Sequence, residues 1–458
     1  MKLWGGNYAG DPDRAFWEFN RSFGFDRRLL PEEIAASRAY VRALGKAGVL
    51  SADDAARLDE GLAAVLERAR TEPGYMELDE EDVHSFVETR LAELVGELAG
   101  QAHVARSRNE QTVTALRLFA RDAADALRTG CARLVAALAD QGEAGADAVM
   151  PGYTHTRAAE PITFGHLAAA HAWALVRDFQ RLGDSRRRAD ALPLGSGALA
   201  GTPLPLDRAA LAAELGFSRV SENALDAVTD RDFASELVFA CAQLQLHLAR
   251  LAEDLIAFSS PELGFVRLPE AYTTGSSLMP QKQNPDSLEL VRGKSARVIG
   301  DLTALLSLQK ALPTGYQKDL QEDKEAVFDA VDTALGSLTV TAGVVAGLEQ
   351  DRQAMARAAD QEGLMAAGLA VELARSGMPF RKAHGRVGAL VAEARRRAAP
   401  LREVAREALR SEAPEVAGRI DVLFDPAAAV RTRQAPGGTA PDAVHASLRS
   451  AREAVASA

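Results

Sequence analysis

The stretch that decides the fold reads VTALRLFARDAADALRTGCARLVAAL, residues 113–138. Its apolar positions Val113, Leu116, Ala120, Ala123, Leu127, Cys131, Leu134 and Leu138 lie three or four residues apart throughout. That spacing is one stripe of a long helix, close to a coiled-coil seam, and not the alternation of a strand. Three further segments share it. One carries Phe233, Leu237, Ala240, Leu244, Leu248, Leu251, Leu255 and Phe258. Another runs from Pro285 to about Leu312, and the last from Gln321 to about Leu348. A helix of roughly 28 residues spans about 42 Å. Four such helices bury their stripes only against one another, so a long bundle is expected in the middle of the chain. Strand signals are nearly absent. The expected fold class is all-α in three mainly helical domains: an N-terminal helical domain over 1–105, a central long-helix bundle over 106–357, and a C-terminal helical domain over 358–458.

Composition narrows the function. Aromatic residues make up only 5% of the chain, which again favours helix over strand. The net charge of −11 argues against general nucleic-acid binding, though local basic sites for an anionic substrate remain open. Cys131 and Cys241 are the only cysteines, and both fall in apolar helical patterns. They read as buried core thiols in a reducing compartment. No apolar run approaches about 18 residues, so no membrane span is expected. The start, Met1 to Gly6, lacks the apolar core of a signal peptide. A cytoplasmic protein is expected.

Three of the long helices open on polar motifs. Ser107-Arg108-Asn109-Glu110-Gln111 starts the first, with Ser107 and Glu110 spaced as a capping box. Asn284-Pro285 starts the third, a good cap followed by a proline that fits the first turn. Asp319-Leu320-Gln321-Glu322-Asp323-Lys324 starts the fourth, again with capping-box spacing. Capping accounts for Ser107, Glu110, Asp319 and Glu322. It does not account for Arg108, Lys282 or Lys324, because cations oppose the dipole at a helix N-terminus. An anion held between them would explain all three. The third and fourth helices follow one another closely and are expected to run antiparallel, with N-termini about 40 Å apart. Lys282 and Lys324 of one chain then cannot serve one small substrate, and a shared site would need several subunits.

Two loops complete the set. Gly275-Ser276-Ser277-Leu278-Met279-Pro280-Gln281-Lys282-Gln283-Asn284-Pro285 holds hydroxyls, a cation and an amide ahead of a helix N-terminus. Gly152-Tyr153-Thr154-His155-Thr156-Arg157 reads as a loop that carries a histidine. His84 reads as a helix-surface histidine beside acids. No metal-binding spacing of histidines occurs. Gly195-Ser196-Gly197-Ala198-Leu199-Ala200-Gly201 lacks the spacing and the preceding strand of a dinucleotide loop.

The Gly275 loop resembles the signature of the fumarase/aspartase superfamily, Gly-Ser-Ser-x-Met-Pro-x-Lys-x-Asn. Together with Leu3-Trp4-Gly5-Gly6, Glu81-Asp82-Val83-His84, Ser107-Arg108-Asn109, Gly152-Tyr153-Thr154-His155, Leu192 to Thr202 and Asp319 to Lys324, the chain is similar to the argininosuccinate lyase family over nearly its whole length. The resemblance implies three helical domains, a homotetramer with a twenty-helix core, and active sites shared between subunits. It implies cleavage of argininosuccinate to arginine and fumarate, without metal or organic cofactor. It assigns Ser276, ionised, as the base and His155 as the general acid, with Glu289 orienting and charging it. Lys282 and Asn284 would hold the carboxylate on which charge develops. Ser22, Ser107, Arg108, Asn109, Thr154 and Lys324 would be further substrate contacts, and Tyr316 and Gln321 would hold the arginine portion. The chain departs from the family pattern at Asn7, where arginine is usual, at Glu110 for aspartate, at Glu160 for glutamine and at Gln283 for lysine. A sister lyase acting on another N-substituted aspartate, or a silent structural member, are the alternatives.

Overall fold

Alanine and leucine stripes become helices nearly everywhere in the computed structural model, which describes residues 12–456. Ahead of the long elements stand α1 (Leu30–Lys46), α2 (Ala52–Thr71) and α3 (Val83–Val95). The long helices are α4 (Arg108–Ala144), α5 (Phe164–Ala189), α6 (Asp232–Phe258), α7 (Asp286–Gln309) and α8 (Asp323–Ala346). Four of them are the stripes expected from sequence. The fifth, α5, carries the same kind of stripe, burying Phe164, Ala168, Ala172, Leu175, Phe179 and Leu182 three or four residues apart. Shorter helices follow, among them Ala366–Arg375, Phe380–Arg397, Leu401–Glu412 and Pro441–Ala456.

The chain packs as two compact units. The first gathers residues up to Arg128 with Arg181–Ala242 and Ala296–Ala334. In it α1, α2 and α3 share a core of Ile34, Tyr40, Leu44, Leu58, Leu62, Phe86 and Leu91, all buried. Gly61 lets α2 approach α3, since a Cβ there would lie 2.8 Å from Leu91 Cδ1. Arg231, fully buried, forms an ion pair with Asp323 at the start of α8. The second unit gathers Thr129–Gln180, Gln243–Ser295 and the residues from Leu335 on. Its C-terminal helices close over Leu369, Leu373, Val387, Leu390, Leu409, Ile420 and Phe424. Both cysteines are buried, and burial pushes the Cys241 thiol up to about 12.

Two expectations about elements are corrected. The stretch around His155 is a β-hairpin, not a loop: β1 (Val149–Thr154) pairs antiparallel with β2 (Arg157–Thr163). The helix opened by Asp319-Leu320 begins later, because Lys318–Glu322 is a 3-10 turn and α8 starts at Asp323. The buried ion pair with Arg231 pins that point, and the 3-10 turn carries no side-chain cap from Gln317. Among the described residues one helix, Lys318–Ala346, is by length and composition apolar enough to cross a membrane. Its apolar window is 61% buried within the protein, the behaviour of a core helix.

Candidate active site

In the first unit a cavity of about 290 Å³ is lined by Ser22, Arg108, Asn109, Tyr316, Gln321 and Lys324, together with Asp26, Glu81, Asp82 and His84. Its walls are zipped by backbone. Ser22 and Phe23 donate their N–H groups to the carbonyl of Glu81 at 2.7 and 3.1 Å. Gln321 Nε2 donates to the carbonyl of Asn20 at 3.0 Å, and Asn20 Nδ2 to Glu81 Oε1 at 2.9 Å. Ser107 stands just outside, capping α4: its Oγ accepts from Asn109 N at 3.3 Å, and its own N–H donates to Glu110 Oε1 at 3.2 Å.

The cations at the helix starts already have anions from their own chain. Arg108 Nε lies 3.1 Å from Asp82 Oδ2, and Lys324 Nζ lies 2.9 Å from Asp323 Oδ1. Burial opposes ionisation of both acids, yet Arg108 and His84 keep Asp82 below its ordinary range, and Lys324 and Arg231 do so for Asp323. Asp323 is shared with Arg231, so the cluster keeps excess positive charge at Lys324. Asp26 goes the other way. Burial first and the charge of Asp82 second push it up to about 6. Burial likewise pushes the Tyr316 hydroxyl up to about 12.

His84 is not on the surface. It is 2% exposed, and its Nδ1 lies 2.8 Å from Glu33 Oε2 while Nε2 lies 3.3 Å from Thr112 Oγ1. Glu33 also accepts from Ser37 Oγ at 2.7 Å and Gln111 Nε2 at 3.2 Å. Reading the sequence missed Asp26 and Glu33. The available signal was Glu33 itself, an acid in the buried stripe of α1 between Leu30 and Ser37.

The glycine loop after Leu192 serves this wall as well. Glu110 Oε2 accepts the N–H groups of Gly195 at 2.6 Å and Gly197 at 2.9 Å, and Asn109 Nδ2 donates to Ala198 O at 3.0 Å. Amides that could have received a phosphate are occupied by a buried carboxylate.

The remaining candidates lie in the second unit, at two exposed tips. His155 and Thr156 form the two-residue connection of the hairpin, with φ of 53° and 57°. Non-glycine residues rarely adopt that region, and such strain is concentrated at functional turns. Thr154 ends β1 beside them. The Ser276 loop is closed by a short ladder, Thr274 opposite Asn284 and Gly275 opposite Gln283. Within it Ser276 Oγ accepts the N–H groups of Leu278 at 3.3 Å and Met279 at 3.1 Å. These two amides already point at the oxygen that would carry charge. Lys282 is exposed, and no hydrogen bond among the described residues joins it to Ser276. Glu289 Oε1 lies 3.9 Å from Arg292, and none joins it to His155. A larger cleft of about 900 Å³ beside the base of this loop contains none of the expected site residues.

A family model described as lyase matches residues 6–300, and one described as argininosuccinate lyase C-terminal matches residues 363–431. The argininosuccinate lyase of Roseiflexus sp. (strain RS-1) is 47% identical over 455 residues, covering 99% of both chains. That of Herpetosiphon aurantiacus is 46% identical, covering 99% of this chain and all of its own. The chain belongs to the argininosuccinate lyase family. Among solved structures, EDDS lyase in complex with formate superposes with a TM-score of 0.84 at 27% identity, over 98% of this chain and 91% of that one. A 3-carboxy-cis,cis-muconate lactonizing enzyme from Pseudomonas putida, at 24% identity and a TM-score of 0.75 over 97% of this chain and 99% of its own, shares the fold.

The departures from the argininosuccinate lyase pattern have local explanations. Glu110 has the reach to accept from two loop amides with one oxygen while the other receives Ser107 N–H. Glu160 is neutralised by Arg433 at 3.1 Å, so it does not leave a bare negative charge near His155. Gln283 is exposed on the ladder, where a change of charge touches little. Asn7 and the Leu3 to Gly6 stretch lie outside the described residues.

Proposed function

We propose that the chain is an enzyme that cleaves argininosuccinate reversibly to arginine and fumarate, in the synthesis of arginine. One observation carries this reading: identity near 47% to an argininosuccinate lyase over 99% of both chains, with every expected catalytic side chain present. The chemistry explains the residue types. A proton leaves the carbon beside a carboxylate, and the resulting carbanion is tolerable only as an aci-carboxylate held by cations and donors. Ser276 takes that proton as an oxyanion. The Leu278 and Met279 amides aimed at its Oγ support the role, and closure of the exposed loop would exclude water. His155 returns a proton to the departing guanidino nitrogen, with Glu289 behind it. Lys282 and Asn284 hold the carboxylate on which charge develops, and Thr154 adds a contact. The cavity of the first unit receives the substrate through Ser22, Arg108, Asn109, Tyr316, Gln321 and Lys324, with Ser107 at its edge.

The working form in this proposal is a homotetramer whose sites combine the first-unit cavity of one subunit with the exposed tips of others. The cavity holds neither Ser276 nor His155, and Glu289 finds no partner in His155 within one chain. The surface of α7 supports association: Ile299 and Leu306, seven residues apart on one face, are 42% and 56% exposed, and Leu290 on another side is 61% exposed. The match over 363–431 supports a separate C-terminal domain from about 358, with the other boundary near 105. A cytoplasmic location follows for an enzyme of this kind. The test is release of fumarate, followed by its ultraviolet absorbance, from argininosuccinate, with adenylosuccinate and aspartate as controls. Release from argininosuccinate alone supports the reading. Release from another substrate only, or from none, overturns it.

A further inference from the structure

The hydroxyl of Ser22 has one proton to give and two lone pairs to offer. Its Oγ lies 2.5 Å from Asp26 Oδ2, and both side chains are 2% exposed. The other oxygen of Asp26, Oδ1, accepts the N–H of Val83 at 3.0 Å, at the start of α3. An ionised carboxylate can only accept, so the proton of Ser22 is committed to Asp26. What Ser22 has left for the cavity is a lone pair. A carboxylate of the substrate cannot bond to a lone pair, whereas a cationic N–H can.

We propose that Asp26 is a positioning residue that fixes Ser22 as a hydrogen-bond acceptor, so that Ser22 recognises an N–H of the arginine portion and not a carboxylate. This rests on the functional reading above and deepens it. Among the described residues Asp26 itself has no cation in direct contact, whereas the other carboxylates of the cavity are paired, Glu81 with Lys318 at 3.4 Å and Asp82 with Arg108 at 3.1 Å. Gln321 adds an acceptor nearby: one N–H of its NH2 group donates to the carbonyl of Asn20, and its amide oxygen is able to accept.

Asp26 also makes the contact sensitive to pH. Burial and the charge of Asp82 raise it to about 6, against the hydrogen bond from Ser22 and the charges of His84 and Lys324. His103, Arg108, Lys318, Tyr316 and Glu81 complete the titratable and charged groups of the cavity wall around it. Above that pH the carboxylate takes the proton of Ser22. Below it Asp26 carries its own proton, and Ser22 is released to donate.

The reverse reaction separates this from a structural role, because arginine carries the N–H groups and fumarate has none. In Asp26→Asn the amide oxygen still accepts from Val83, so the NH2 group faces Ser22 and turns its proton into the cavity. The KM for arginine should rise roughly tenfold or more, the usual scale for a hydrogen bond to a charged group, while that for fumarate stays within about twofold. Ser22→Ala should act similarly, and the double variant should be no worse than either single one. Ser22→Ala removes little volume and keeps the test open if Asp26→Asn fails to fold. The wild-type KM for arginine should also climb below about pH 6, and that of Ser22→Ala should stay flat. A wild-type enzyme that does not condense arginine with fumarate overturns the functional reading. An active one in which both KM values rise together, or only that for fumarate, overturns the assignment of Ser22.

Discussion

The carboxylate of Glu33 faces Nδ1 of His84 at 2.8 Å, and neither side chain reaches solvent. Burial by itself would raise Glu33, but His84, Arg106 and Ser37 outweigh it and hold the carboxyl down at about 2. A carboxylate depressed in this way stabilises the fold fully above its unfolded value, about 4.3, and the contribution is lost as pH falls through about 2. Glu33→Gln should therefore weaken the acid dependence of stability between those limits, read as melting temperature against pH. Glu33→Ala leaves His84 and Arg106 buried without their partner and should cost about 3–5 kcal/mol. A neutral Glu33→Ala would show that the buried network does not hold this wall.

Ser276 and His155 sit on exposed tips and support no core. Ser276→Ala and His155→Asn should leave the melting temperature within a degree or two and lower kcat by about 100-fold or more, the range of a lost general base or acid. Full turnover in either variant would remove it from the proposed mechanism.

Mixing is the sharper test of shared sites. Arg108→Ala alters only the first-unit cavity, and Ser276→Ala only the second-unit loop. If sites combine units of different subunits, the two inactive proteins should regain part of the wild-type activity after subunit exchange. Exchange demonstrated by mass spectrometry without recovered fumarate release would argue for sites within one chain.

Gly343 on α8 gives room to Tyr272, whose hydroxyl would lie 1.9 Å from a Cβ there. The carbonyl of Tyr272 receives Ser287 Oγ at 2.6 Å, at the base of the Ser276 loop. Alanine favours a helix, so Gly343→Ala should keep α8 while forcing the Tyr272 ring aside, at about 1–3 kcal/mol. A fall in kcat with helical content unchanged, measured by circular dichroism, is expected. Unchanged turnover would mean that the loop does not depend on the seating of Tyr272.

The bundle was legible because its helices are long and their leucines recur at one spacing. The first seam, from Val113 to Leu138, reads the same in isolation as in the fold. The stripe of α5 has the same spacing, through Phe164, Ala168, Ala172, Leu175, Phe179 and Leu182, and was equally legible. The hairpin carrying His155 was hidden by Pro151 and Pro161, which usually argue against strands and here stand opposite each other.

Residue types in the site were legible, but their partners were not. Arg108 and Lys324 looked like cations waiting for an external anion, because Asp82 lies 26 positions away from the first and the sharing of Asp323 with Arg231 spans 92. Local spacing along a helix determines which side chains share a stripe, so the sequence alone settled the helical class and the motifs at the helix starts. Hydrogen bonds and buried charges depend on distances of about 3 Å between segments remote in the chain. Only the tertiary structure could therefore decide that Glu110 fills the glycine loop, that Glu33 holds His84, and that the proton of Ser22 belongs to Asp26.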